Sequence, residues 1–227
     1  MRVQQISPGW VVERVWEIYR QYAGILIGTA LVLFAVEFLV AWVLSGAVRF
    51  LSTVVFWILS TVYQGFVVQL VKDIQDGRRD SSVGDLIESV TPVLGPLLLV
   101  SLIFGIGVAI GFVLLIVPGL ILMTIWSVVA PVTVLERPGV LRGFGPSQDL
   151  VRGNGWNVFG VIVLVYIAVV AASLVVGIIA SPLGSGGRAL VQWGVNAAIA
   201  PITALSASVL YFALKDIREP ATPPPTA

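Results

Sequence analysis

Residues 32–43 read VLFAVEFLVAWV, eleven apolar residues around one glutamate, Glu37. In water such a stretch is ordinary. Inside hydrocarbon a lone carboxylate costs about 2.5–3.5 kcal/mol unless it is protonated or partnered. Whether this stretch crosses a membrane therefore decides both the fold and the meaning of Glu37.

Outward from Glu37 the apolar run extends over Gly24–Leu44. A helix rises about 1.5 Å per residue, and about 20 residues cross a hydrocarbon core. Five further runs are long and apolar enough to consider: Phe50–Val71, Val93–Val117, Gly119–Leu135, Trp156–Ala180 and Ala189–Leu214. The whole chain agrees with this reading. Of its 227 residues 58% are hydrophobic and 11% charged, and the mean hydropathy is +1.01. So few charges cannot clothe a water-facing surface, and the apolar excess must face lipid.

The basic residues fix the number of crossings. Eleven of the thirteen lysines and arginines fall before the first run, between the second and third, between the fourth and fifth, or after the sixth. Only Arg49 and Arg188 lie in the alternate connections. Under the positive-inside rule this places both termini in the cytoplasm and makes the crossings even in number. Gly119–Leu135 is short. It either crosses or pairs with Val93–Val117 as a re-entrant hairpin, because otherwise the division of charge falls to seven against six.

The expected fold is an all-α integral membrane protein of the cell membrane. Six transmembrane helices occupy 24–214, amphipathic helices lie on the cytoplasmic face, and a disordered cytoplasmic tail covers 215–227. Residues 1–23 form the first amphipathic helix. There Ser7 or Gly9 serves as cap, and Val12, Val15, Trp16 and Tyr19 share a face. A second such helix follows Ser82, with Val83, Leu86, Ile87 and Val90 on one face. A third, shorter one lies in GPSQDLVRGNGW and ends at Gly153 and Gly155.

Four stretches carry a resemblance. They are VVERVWEIYRQYAGILIG, VKDIQDGRRDSSVGDLI, IVPGLILMTIWSVVAPVTVLE and ALSASVLYFALKDIRE. Together they resemble the bacterial glycerophosphoryl diester phosphodiesterase membrane-domain family, in its stand-alone multi-span form. The resemblance implies the six-span architecture. It does not imply phosphodiesterase activity, which in that family belongs to a separate soluble barrel that has no counterpart in this sequence.

The chain has no histidine and no cysteine. That excludes imidazole acid–base chemistry, thiol nucleophiles, disulfides and the usual zinc and haem sites. No catalytic constellation, cofactor or metal site is expected, and no nucleic-acid partner. Acidic residues match the basic ones in the inner connections, so there is no polybasic lipid-binding cluster. The expected partners are the lipid bilayer and another membrane or cytoplasmic protein.

Polar residues within the runs are few. By depth, Glu37 lies near Asn196 of the sixth run and Ser60 and Gln64 of the second, and these four form the candidate intramembrane cluster. It serves either as interhelical hydrogen-bonding glue or as a coupling site for transport. Pro118 and Gly119 mark a candidate helix break. Gly24-xxx-Gly28 and Gly107-xxx-Gly111 are expected to let helices approach closely inside the bundle. The first functional expectation is a non-enzymatic membrane scaffold or accessory protein. The second is a small transporter or permease-like protein using Glu37 and the Pro118–Gly119 break.

Overall fold

A computed structural model describes residues 6–43, 50–77 and 83–218. The expected cap at Ser82, the basic residues Arg49, Arg78 and Arg79, and the tail from 219 onward lie outside these. The helices are α1 (Pro8–Val43), α2 (Phe50–Gln75), α3 (Val83–Val90), α4 (Leu94–Leu114), α5 (Ile116–Ile125), α6 (Val129–Glu136), α7 (Phe144–Val151), α8 (Gly155–Ala180) and α9 (Ser185–Arg218). Six stretches of the described residues are long and apolar enough to cross a membrane. They are Pro8–Val40, Phe50–Gln75, Val83–Leu114, Ile116–Glu136, Gly155–Ala180 and Gly186–Arg218. Each contains most of one run read from the sequence.

Helix α1 begins as its residues dictate. Ser7 accepts a hydrogen bond from the Trp10 amide at 3.2 Å, and Pro8 takes the first helical position, where its missing N–H costs nothing. Ser7, not Gly9, is the cap. The helix bends at Tyr22, whose φ of −113° and ψ of 19° are not helical. Before the bend the buried face is Val11, Val15 and Ile18. Val12 and Trp16, expected on that face, are exposed, and Trp16 is 53% exposed. This helix is apolar on two sides, and its core-facing side is the one rotated toward Val11. In α3, likewise, Leu86 and Val90 are buried while Val83 and Ile87 are exposed.

Two prolines interrupt the helix around the fourth span, one ahead of its start and one within it, each about one turn ahead of itself. A proline ring clashes with the carbonyl four residues earlier. For Pro118 that residue is Leu114, and the chain breaks at Leu115, which is extended with φ −165° and ψ 155°. Pro118 and Gly119 themselves sit in the first turn of α5, so the break precedes the expected position. For Pro131 the clashing carbonyl belongs to Ser127, and helix is lost over Trp126–Val128 between α5 and α6. The Ser147 hydroxyl of α7 donates to the Ile125 carbonyl at 3.0 Å, satisfying a backbone group freed there. The Trp126 and Phe144 rings meet edge to face with centroids 4.8 Å apart.

Helices α4 and α5 pack backbone to backbone. Gly111 lies against Gly119, and Gly107 lies against the Trp126 ring. The Gly107-xxx-Gly111 face is therefore used inside the bundle. Gly24 and Gly28, in contrast, have nothing near the position a Cβ would take.

Packing is uneven along the bundle. In α2 the buried residues cluster over 61–71, and in α9 over 204–214. These halves meet Val11, Val15 and Ile18 in one core that includes Phe66, Leu205 and Leu214. This is the end that carries the lysines and arginines. There the Tyr211 hydroxyl donates to Glu136 Oε1 at 2.7 Å, with Lys215 Nζ at 3.9 Å from the same oxygen. The Arg218 guanidinium donates to the Arg152 carbonyl at 2.8 Å. Toward the opposite end most of α2 and α9 is half-buried or exposed, Ser52, Ala197 and Pro201 excepted, and the bundle opens.

Candidate functional site

Where the filled half of the bundle gives way to the open half, a cleft of about 380 Å³ lies among α1, α2 and α9. It falls within the usual range of small-ligand pockets, about 300–1,000 Å³. One wall is aromatic. Phe34 of α1 stands 5.6 Å from Phe56 and 6.0 Å from Tyr63, ring centre to ring centre, both on α2. Burial against α1 holds Tyr63 in place, and its hydroxyl donates to the Leu26 carbonyl at 3.0 Å.

The other wall is polar and uncharged. Ser60 and Gln64 sit one turn apart on α2, and Asn196 and Thr203 two turns apart on α9. Ala200 and Ala204 between them keep the floor low. Asn196 Oδ1 accepts a hydrogen bond from Gln192 Nε2 at 3.0 Å, leaving its NH₂ group to face the cleft. The Thr203 hydroxyl donates to its own helix at the Ala200 carbonyl. The Ser60 hydroxyl oxygen is buried without a hydrogen-bond partner. Among the described residues none hydrogen-bonds Gln64. An unpaired buried hydroxyl costs about 1–3 kcal/mol, and the polar groups of this wall that stay accessible are the Gln64 and Asn196 amides.

Three of the four cluster residues, Ser60, Gln64 and Asn196, thus come together. Glu37 does not line the cleft. It is half-buried on α1, and it makes no hydrogen bond or ion pair with any described residue. Its neighbour Phe38 instead packs near Trp193, with ring centres 6.1 Å apart. Depth alone placed Glu37 beside Asn196, but on α1 the residue that lines the cleft is Phe34, one turn before it. The reading by depth also omitted Thr203 and the aromatic wall. Thr203 follows Asn196 by seven residues, a spacing that puts both on one helical face.

A second feature lies at the basic end. Because Val11, Val15 and Ile18 are spent on the core, the outer side of α1 presents Trp10, Val12 and Trp16, interleaved with Glu13, Arg14, Glu17 and Arg20. Arg14 and Glu17 pair at 2.5 Å on this surface, and Trp16 stacks on Tyr19. It is a surface of aromatic and balanced charged groups, and nothing else in the described chain covers Trp16.

Comparison with protein-family models, curated proteins and solved structures finds no match for this chain, so the family resemblance rests on the quoted residues alone.

Proposed function

We propose that this chain is a non-enzymatic integral membrane scaffold or accessory protein of the cell membrane, with both termini cytoplasmic. The observation that carries the reading is the two-sided α1: one apolar face is locked into the core and a second, Trp10–Val12–Trp16, is left exposed. Aromatic and arginine side chains are favoured anchors at protein contacts, and balanced charge gives such a contact orientation without general attraction to anionic lipid. The filled core at the same end favours a fixed platform over a moving gate.

The test is a photoreactive amino acid at position 16 in native membranes. The reading expects one discrete protein adduct that disappears on the charge reversal Glu13→Arg with Glu17→Arg, while thermal stability is kept. Lipid adducts alone would overturn it and leave α1 as a simple interfacial anchor.

A transporter reading retains one supporting observation, the half-buried Glu37 in an apolar helix, with which no described residue pairs. It requires a proton-gradient-driven flux in reconstituted vesicles that Glu37→Gln abolishes. The scaffold reading expects no such flux.

A further inference from the structure

We infer that the cleft among α1, α2 and α9 is a binding site for an uncharged, membrane-dissolved ring compound that bears carbonyl oxygens and an aliphatic tail, the quinone class. Four features of the cleft define this occupant. The first is charge: the lining residues are all uncharged, and Glu37 is not one of them. A charged headgroup would gain no counter-ion there and would lose its hydration.

The second is shape. Phe56 is the exposed ring of the cleft, with the buried Phe34 and Tyr63 rings packed beside it. Aromatic faces prefer offset stacking on another flat π-system, and that geometry favours a ring over an acyl chain. The third is hydrogen-bond polarity. Tyr63 and Thr203 have already donated their hydroxyl protons to backbone carbonyls, at Leu26 and Ala200. What remains at the cleft is the Asn196 NH₂ group and the Gln64 amide, the Ser60 hydroxyl being sealed from it. Both amides can donate, so a ligand with two carbonyl acceptors satisfies them.

The fourth is access. Phe56 and Thr203, at the rim, are exposed on the outer flank of the bundle. In a membrane that flank faces lipid, so a tailed ring enters sideways and leaves its tail in the bilayer. On the basic side the cleft is closed by the filled core around Phe66 and Leu205. The site is a lateral pocket and not a channel. It shares no residue with the Trp10–Trp16 surface, so its fate is independent of the scaffold reading.

The experiment uses the full chain in lipid nanodiscs and a decyl-tailed benzoquinone carrying a photoreactive azide. Saturable labelling is expected within α2 around residues 56–64 and α9 around 196–203. An unlabelled decyl benzoquinone should compete, and decanol at equal concentration should not. Asn196→Leu with Gln64→Leu should weaken binding at least tenfold, and Ala200→Trp should fill the cleft and abolish labelling. Phe112→Ala, on another face of the bundle, should change nothing. Competition on the unaltered protein keeps the test decisive if a variant fails to fold. Labelling that does not saturate, that decanol displaces equally, or that spreads over the lipid-facing surface would overturn the inference. So would a crosslink from residue 203 to the helix of another protein, since the cleft would then be a helix-docking groove.

Discussion

Gly111 and Gly119 meet across the head of the α4–α5 hairpin so closely that a Cβ on Gly111 would lie 2.8 Å from the Gly119 Cα. The opposing atom is backbone and cannot rotate away. Gly111→Ala should therefore destabilise by about 1–3 kcal/mol, the usual range for overpacking. Gly105→Ala, with nothing within 4 Å of the new methyl, should be neutral or gain up to about 1 kcal/mol from helix propensity. Thermal unfolding of the two variants in detergent separates them.

The broken fourth span makes a second prediction. Ser147→Ala removes the donor to the Ile125 carbonyl and leaves a freed backbone group unsatisfied. The expected loss is about 1–3 kcal/mol. Ser127→Ala, two residues from that carbonyl, removes a buried hydroxyl that has no partner among the described residues and should cost nothing or stabilise. Denaturant titrations should show a loss for Ser147→Ala alone.

At the basic end the contacts of Glu136 can be ranked. Tyr211→Phe deletes a buried hydroxyl held 2.7 Å from a carboxylate and should cost about 1.5–3 kcal/mol. Lys215→Met deletes a 3.9 Å ion pair between partly exposed groups and a longer 3.3 Å hydrogen bond to the Tyr211 hydroxyl, together worth about 1 kcal/mol. A reversed order in unfolding experiments would mean that the ion pair, not the hydroxyl, ties α6 to α9.

The two faces of α1 should separate stability from interaction. Ile18 is 2% exposed in the core, and Ile18→Ala should cost about 2–5 kcal/mol. Trp16→Ala should leave the unfolding midpoint nearly unchanged and diminish only the crosslink described above. Measuring both variants in one detergent checks the contrast.

How much of this was legible in the residues follows from what hydropathy and spacing encode. Run length and the placement of lysines and arginines specify six long apolar helices, because lipid crossing depends on one-dimensional properties. Which side of a helix faces inward is harder when apolar residues lie nearly all round it. Val12, Val15, Trp16 and Tyr19 fit a helical stripe as well as Val11, Val15 and Ile18 do, and only the packing partner selects between them. The prolines were visible, but their effect falls one turn upstream, so the breaks appear at Leu115 and Trp126–Val128. For the cleft, depth brought Ser60, Gln64 and Asn196 together, while on α1 the wall falls at Phe34, one turn before Glu37.

The Tyr19 hydroxyl reaches the Ala198 carbonyl at 3.3 Å, three residues before the proline inside α9. Tyr19 emerges from the ribosome 179 residues ahead of that acceptor. The first helix therefore waits through the synthesis of all the other helices before its inner face can close. During biogenesis Val11, Val15 and Ile18 need a temporary cover, from lipid or from the insertion machinery. A nascent chain halted before α9 should expose them to protease and to chaperones.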